Sequence, residues 1–290
     1  MFDGVSTALV TPFRRGEIDE SALRELVEDQ IAAGIEGLVP CGSTGESATM
    51  SHAEHRRVVE ITVAAAGGRV PVLAGTGSNN TREAVELTRF AKEAGADGAL
   101  LISPYYNKPT QEGIVAHFEE VARQTDFPLV IYNIPGRTAS NLLPATLARL
   151  ADIPQVVGVK EASGDLVQVS EVVARCPDDF TVLAGDDALT LPILSVGGRG
   201  VISVSTNVAP GEMLGLVNAW RGGDVDGARA AHQRLLPFFD ALFCETNPIP
   251  VKAAVALLGR IGDEIRLPLT EITPRNRERL KVVLKELGLL

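Results

Sequence analysis

The sequence predicts an α/β protein, a (β/α)8 barrel carrying a C-terminal helical extension. Three observations point there. Short apolar, β-like runs alternate with amphipathic helical stretches at a spacing of roughly 20–30 residues. Such alternation implies a parallel sheet covered by helices, and eight units suit a barrel of about 250 residues, within the 290 present. An open doubly wound sheet usually carries Gly-x-Gly-x-x-Gly after its first strand, and no such motif follows the first strand here.

The elements follow in order. Ser6–Val10 is the first strand, and Asp19 opens the helix Ser21–Ala33. The second strand, Gly37–Cys41, leads into Gly42-Ser43-Thr44-Gly45-Glu46. Ser51-His52-Ala53-Glu54 is a capping box for the helix Ala53–Ala66. Strands Val70–Ala74 and Gly98–Ile102 precede helices Arg82–Ala94 and Gln111–Arg123, whose apolar residues recur three and four apart. Pro128–Tyr132 is the fifth strand, Val156–Lys160 the sixth, Thr181–Ala184 the seventh and Gly200–Val204 the eighth, with helix Leu166–Ala174 after the sixth. Beyond residue 222 no strand signal remains. Asp226–Leu236, Phe238–Leu258 and Arg275–Leu287 are helical, with Pro237 as a break. The chain therefore divides into a barrel domain, 1–222, and a helical extension, 223–290, with no Pro-, Gly- or Ser-rich linker between them.

Hydrophobic residues make up 45% and charged residues 22%, the balance of a soluble globular protein with ample core. No apolar run approaches the ~18–20 residues of a membrane span. The start, Met1-Phe2-Asp3-Gly4, lacks the basic and apolar regions of a secretory signal. Cys41, Cys176 and Cys244 form neither a disulfide framework nor a Cys-x-x-Cys motif, which suits a reducing cytoplasm. A net charge of −10 argues against nucleic acid, which needs a basic stripe.

Barrel active sites lie at the carboxyl ends of the strands. Lys160 closes the sixth strand. A lysine there is either desolvated, its pKa falling towards ~7–8 so that the neutral amine becomes a Schiff-base nucleophile, or it snorkels outward to pair with Glu161. The Gly-rich turn after the second strand could present N–H groups to an anion, or be a plain connection. Ser103-Pro104-Tyr105-Tyr106-Asn107 and Tyr132-Asn133-Ile134-Pro135-Gly136-Arg137 end the fourth and fifth strands at the same mouth. Gly197-Gly198-Arg199-Gly200 precedes a strand and belongs to the opposite face, as a helix cap and turn rather than a phosphate cradle. His52 and His55 have no third ligand nearby in sequence, so no metal site is expected. Lys252, in the extension, reads as off the mouth, solvated or snorkelling.

From Val10-Thr11-Pro12-Phe13 to the Leu267-Pro268 and Thr273-Pro274 pairs, the chain resembles the dihydrodipicolinate synthase family of pyruvate-dependent class I aldolases. The motifs carrying the likeness are Pro104-Tyr105-Tyr106-Asn107-Lys108-Pro109, Tyr132-Asn133-Ile134-Pro135-Gly136-Arg137-Thr138, Gly158-Val159-Lys160-Glu161-Ala162-Ser163-Gly164 and Asn247-Pro248-Ile249-Pro250-Val251-Lys252.

The resemblance implies that Lys160 forms an imine with pyruvate, whose enamine adds to L-aspartate-4-semialdehyde to give 4-hydroxy-tetrahydrodipicolinate for lysine (diaminopimelate) biosynthesis. It makes Tyr132 the acid–base residue, linked through Ser43 to a Tyr106 supplied across a subunit interface. Arg137 would receive the semialdehyde carboxylate and Thr44 and Gly45 the pyruvate carboxylate, with Gly185 and Ile202 lining the pocket. No cofactor beyond the covalent imine is implied. A cytoplasmic homotetramer, a dimer of dimers, is expected, with feedback by L-lysine at Ser47, Ala48, His52, His55, Asn79, Glu83 and Tyr105. One departure is Ser43, where many synthases carry threonine; the hydroxyl is kept, with less rotamer restraint. Gly-Ser-Thr-Gly-Glu is common among sialic-acid lyases, so an N-acetylneuraminate or 2-keto-3-deoxy sugar acid lyase is the alternative. A non-catalytic small-molecule-binding barrel is the second.

Overall fold

In the computed structural model, which describes residues 2–290, eight parallel strands form the barrel. They are β1 (Gly4–Ala8), β2 (Gly37–Val39), β3 (Leu73–Gly75), β4 (Gly98–Ile102), β5 (Leu129–Asn133), β6 (Val156–Glu161), β7 (Thr181–Ala184) and β8 (Gly200–Ser203). Hydrogen bonding runs in the order β2-β1-β8-β7-β6-β5-β4-β3. A single parallel bridge, Leu38 to Val72, completes the ring between β2 and β3.

The helices that follow these strands are α1 (Glu20–Ala32), α2 (His52–Ala66), α3 (Thr81–Glu93), α4 (Gln111–Thr125), α5 (Pro144–Ala151), α6 (Leu166–Arg175), α7 (Thr190–Ser195) and α8 (Pro210–Arg221). Local chemistry sets their starts. Asp19 accepts from the Ala22 amide, and Ser51 with Glu54 forms the reciprocal capping box. Each satisfies amides that the first turn of a helix leaves open.

Two apolar layers result. A small interior core of Phe2, Ala8, Val39, Leu73, Leu100, Val130, Tyr132, Leu183 and Ile202 fills the barrel. A larger core lies between the strands and the helices. Strands buried on both faces need apolar residues at nearly every position, which is why they read as continuous runs rather than alternating ones.

The extension adds α9 (Val225–Leu242), α10 (Ile249–Leu257) and α11 (Pro274–Glu286). Helix α9 packs along α8, and α11 packs on α9 and α10. The expected break at Pro237 is wrong: α9 passes through it. An interior proline costs about 3 kcal/mol, but Leu235, Phe238, Phe239 and Leu242 are all buried around it, and each such side chain returns roughly 1.5–3 kcal/mol. The helix breaks instead between Leu242 and Ile249, where Pro248 caps the next helix and Pro250 lies in its first turn. A short hairpin, Phe13–Arg14 with Glu17–Ile18, also escaped the sequence pattern and buries Phe13.

Candidate active site

Strand register places the central residues. Tyr132 pairs with Lys160 across β5 and β6, and Lys160 with Leu183 across β6 and β7. Residues in register on parallel strands share a face and a height, so Lys160 stands in the barrel beside Tyr132. Its Nζ lies 4.3 Å from the Tyr132 ring centroid, and the side chain is 5% exposed. Glu161, one position on, faces the other way. It is buried and accepts from Asn133 Nδ2 and from the Ser163 amide at 2.7 Å. The outward Lys160–Glu161 pair is therefore not formed.

Burial brings the Lys160 pKa down to about 8, opposed by the negative charge of Asp187 and aided by the guanidinium of Arg137. Roughly a tenth of such a group is neutral amine at pH 7, against well under a thousandth for an ordinary lysine. Room for the side chain comes from Gly185, where a Cβ would sit 3.1 Å from Lys160 Cε and 2.8 Å from Ala162 Cβ. Ile202 packs in the same interior layer as Tyr132.

Burial holds the Tyr132 phenol well above its ordinary pKa, with Arg137 opposing, so the hydroxyl keeps its proton and can donate. Ser43, Tyr132 and Arg137 line one cavity of about 480 Å³. Thr44 is buried next to Ser43, and its Oγ1 accepts from Asn247 Nδ2 at 3.0 Å. Arg137 Nη2 donates to the Asn247 carbonyl, also at 3.0 Å. Gly45 packs tightly, since a Cβ there would lie 3.1 Å from the Leu9 carbonyl oxygen. Tyr106 is not brought to this cavity by its own chain. It is 87% exposed, in the left-handed region at φ 72°.

Of the residues implied for an effector, Ser47, Ala48, His52, His55, Glu83 and Tyr105 line the same cavity. Asn79 is held beside them by donating its Nδ2 to the Tyr105 carbonyl at 3.1 Å. His52 Nε2 meets Glu83 Oε1 at 2.8 Å, and the Ser78 hydroxyl donates to the other Glu83 oxygen. His55 Nε2 lies 2.8 Å from the Gly75 carbonyl. That nitrogen must carry the proton, leaving Nδ1 as a buried acceptor with no partner among the described residues. Burial lowers the His55 pKa and favours this neutral form. Among the described residues no group of three or more His, Cys, Asp or Glu side chains is disposed to hold a metal ion.

Two features departed from the sequence reading. Lys252 is neither solvated nor snorkelling: it is 1% exposed, and its Nζ donates to Glu46 Oε1 at 2.6 Å. Asp187 was missed altogether. It lies just past β7, buried, with one carboxylate oxygen accepting from the hydroxyls of Ser203 and Ser205 and the other from the amides of Val204 and Ser205. The strand-end rule that singled out Lys160 covers Asp187 equally.

This protein is thus a (β/α)8 barrel that presents an amine of lowered pKa at its carboxyl-terminal mouth. A model of the dihydrodipicolinate synthetase family matches residues 1–287, and the chain belongs to that family. It is 59% identical over 290 residues to a 4-hydroxy-tetrahydrodipicolinate synthase of Nitratidesulfovibrio vulgaris (strain DP4), covering 100% of this chain and 99% of that one. Among solved structures it matches dihydrodipicolinate synthase from Aquifex aeolicus with a TM-score of 0.98 and 48% identity, over 99% of each chain. A DHDPS from Cyanidioschyzon merolae with lysine bound matches with a TM-score of 0.97 and 41% identity, over 100% of this chain and 99% of that one.

Proposed function

We propose that this protein catalyses the reaction of its curated relatives, the 4-hydroxy-tetrahydrodipicolinate synthases, in lysine and diaminopimelate biosynthesis. The observation that carries the proposal is Lys160 itself, buried at the end of β6 with a pKa of about 8. Its neutral amine attacks the ketone carbon of pyruvate and expels water, giving an imine. Loss of a methyl proton leaves an enamine, whose carbon adds to the aldehyde of L-aspartate-4-semialdehyde. The substrate amine then attacks the imine carbon and displaces Lys160, closing the ring. A protonated Tyr132 serves the proton transfers at the nascent alkoxide and carbinolamine, with the Ser43 hydroxyl able to donate and accept in turn. Thr44 and the backbone at Gly45 take the pyruvate carboxylate. Arg137 takes that of the aldehyde, where a planar fork suits two oxygens. The chemistry draws on no cofactor beyond the covalent imine.

The exposed, left-handed Tyr106 is assigned to a neighbouring subunit's site, within a homotetramer built as a dimer of dimers in the cytoplasm. L-Lysine is assigned as effector, with Glu83 and the free Nδ1 of His55 accepting from an ammonium. Borohydride reduction in the presence of pyruvate, followed by mass mapping, tests the central step. The adduct is expected on Lys160, and its absence there overturns the proposal. Assay of the trapped partner reaction with L-aspartate-4-semialdehyde against N-acetylmannosamine decides the acceptor, and EDTA is expected to leave the rate unchanged.

A further inference from the structure

Helix α10 grips the Gly42–Glu46 turn at two points. Just ahead of the helix, Asn247 Nδ2 donates to Thr44 Oγ1 at 3.0 Å. Within it, Lys252 Nζ donates to Glu46 Oε1 at 2.6 Å, with both side chains buried. The pair is completed on each side. Lys252 also donates to the Glu264 carbonyl at 2.6 Å, and Glu46 Oε2 accepts from the Arg266 amide at 3.1 Å. Phe13 offers its ring to both cations, with Lys252 Nζ at 4.4 Å and the Arg266 guanidinium carbon at 4.1 Å from the centroid.

Glu46 occupies the left-handed region at φ 55°, which a residue with a Cβ keeps only when its surroundings hold it there. Its carboxylate is one such hold, beside its amide, which donates to the Ser43 carbonyl at 3.2 Å, and its carbonyl, which accepts from the Thr49 amide at 3.0 Å. Relaxation to negative φ would turn the peptide joining Gly45 to Glu46, break the bond from the Glu46 amide to the Ser43 carbonyl and shift the Ser43–Gly45 backbone. A buried ion pair is seldom the most stable filling for such a site, because apolar side chains of similar volume pack there without a desolvation penalty.

We propose that Lys252, acting through Glu46, is a positioning residue for the turn that receives the first substrate's carboxylate, so that the helical extension sets the affinity of the active site for pyruvate. The proposal rests on the assignment of that turn to pyruvate made above. Three variants test it: Lys252→Met, Glu46→Gln and the two combined. For each, half-saturating pyruvate is measured by borohydride trapping on Lys160 and by steady-state kinetics, with kcat, the KM of the aldehyde substrate and the thermal midpoint alongside.

All three variants are expected to raise half-saturating pyruvate about tenfold, with kcat at saturating pyruvate and the aldehyde KM held within about threefold. Removing both charges leaves no unpaired ion, so the thermal midpoint of the double variant should lie above that of Lys252→Met. A double variant whose pyruvate affinity returns to the wild-type value with its midpoint would show a strut and nothing more. Unchanged pyruvate affinity in the single variants would overturn the proposal outright. If Lys252→Met does not fold, Glu46→Gln, which keeps the side-chain volume and an acceptor oxygen, carries the same comparison. Failure of the wild-type protein to trap pyruvate on Lys160 would overturn the functional assignment instead, so the two outcomes are distinct.

Discussion

Lys160 Nζ sits 4.3 Å from the centroid of the Tyr132 ring, and the two residues are direct partners across β5 and β6. An ammonium over an aromatic face gains about 0.5–2 kcal/mol, which favours the charged form. Burial opposes it and wins, since the Lys160 pKa falls to about 8. Tyr132, shifted the other way by the same burial, keeps its proton. One buried site thus supplies an amine of lowered pKa and a hydroxyl acid at neighbouring positions on adjacent strands.

A rate profile follows from that amine. The kcat/KM for pyruvate should rise with pH through an apparent pKa near 8, where the Lys160 ammonium deprotonates, with a limiting slope of about one log unit per pH unit below it. Steady-state assays between pH 6 and 10 check this. A flat profile across that range would mean that free amine does not limit the first step.

Stability should depend on pH with a definite sign. Folded Lys160 has a pKa of about 8 against an ordinary value of 10.5, so between these values the unfolded chain holds more protons and stability rises with pH. Below pH 8 the cost of burying the ammonium is borne in full. At about 1.4 kcal/mol per pKa unit, it reaches roughly 3 kcal/mol at most. Lys160→Met should therefore be inactive yet about 1–3 kcal/mol more stable than wild type at pH 6–7, with the advantage shrinking towards pH 10. Denaturant titrations at the two pH values measure it, and a variant less stable than wild type at pH 6 would contradict the assignment of the shift to desolvation.

The barrel and the mouth-facing residues were legible because both are written locally. Strand runs, the Ser51–Glu54 capping box and residues at strand ends need only short windows of sequence, and Lys160 stood out as a charge closing an apolar run. Lys252 was misread because its partner, Glu46, lies 206 positions away. A lysine on an otherwise apolar helix looks like a snorkelling side chain until the fold supplies its counter-ion. The continuity of α9 through Pro237 was likewise hidden, since the packing of Leu235 and Phe238 outweighs a local breaker. The exposure of Tyr106 was hidden too, since its motif stands among the strand-end residues while the fold leaves it 87% exposed. Asp187 was within reach: Gly185-Asp186-Asp187 follows the seventh strand, and the rule that selected Lys160 selects it too.

Gly185→Ala probes the space in which Lys160 moves. The added methyl would stand 3.1 Å from Lys160 Cε and 2.8 Å from Ala162 Cβ, closer than ordinary contact. The neighbours must shift, at about 1–3 kcal/mol of stability. Displacement of the nucleophile by a fraction of an ångström should lower kcat/KM for pyruvate by about 10–100-fold. Thermal melts and single-turnover trapping measure the two effects separately. Unimpaired trapping would show that Lys160 reaches the ketone from a position Gly185 does not border.

Asp187→Asn separates charge from packing behind the nucleophile. Asp187 Oδ1 accepts from the hydroxyls of Ser203 and Ser205, and Oδ2 from the amides of Val204 and Ser205. An asparagine can keep its oxygen towards the two amides. Its Nδ2 then faces two hydroxyls, which can rotate from donating to accepting. Folding should be little affected, with a loss of about 1 kcal/mol. Burial raises the Asp187 pKa, but its four donors favour the carboxylate; with that charge removed, the Lys160 ammonium loses a support and the amine should deprotonate more readily. The acid limb of the pyruvate profile is expected to move down by about one pH unit, raising the free-amine fraction at pH 7 while the thermal midpoint stays near the wild-type value. A limb that does not move would show that Asp187 organises the loop after β7 without acting on Lys160.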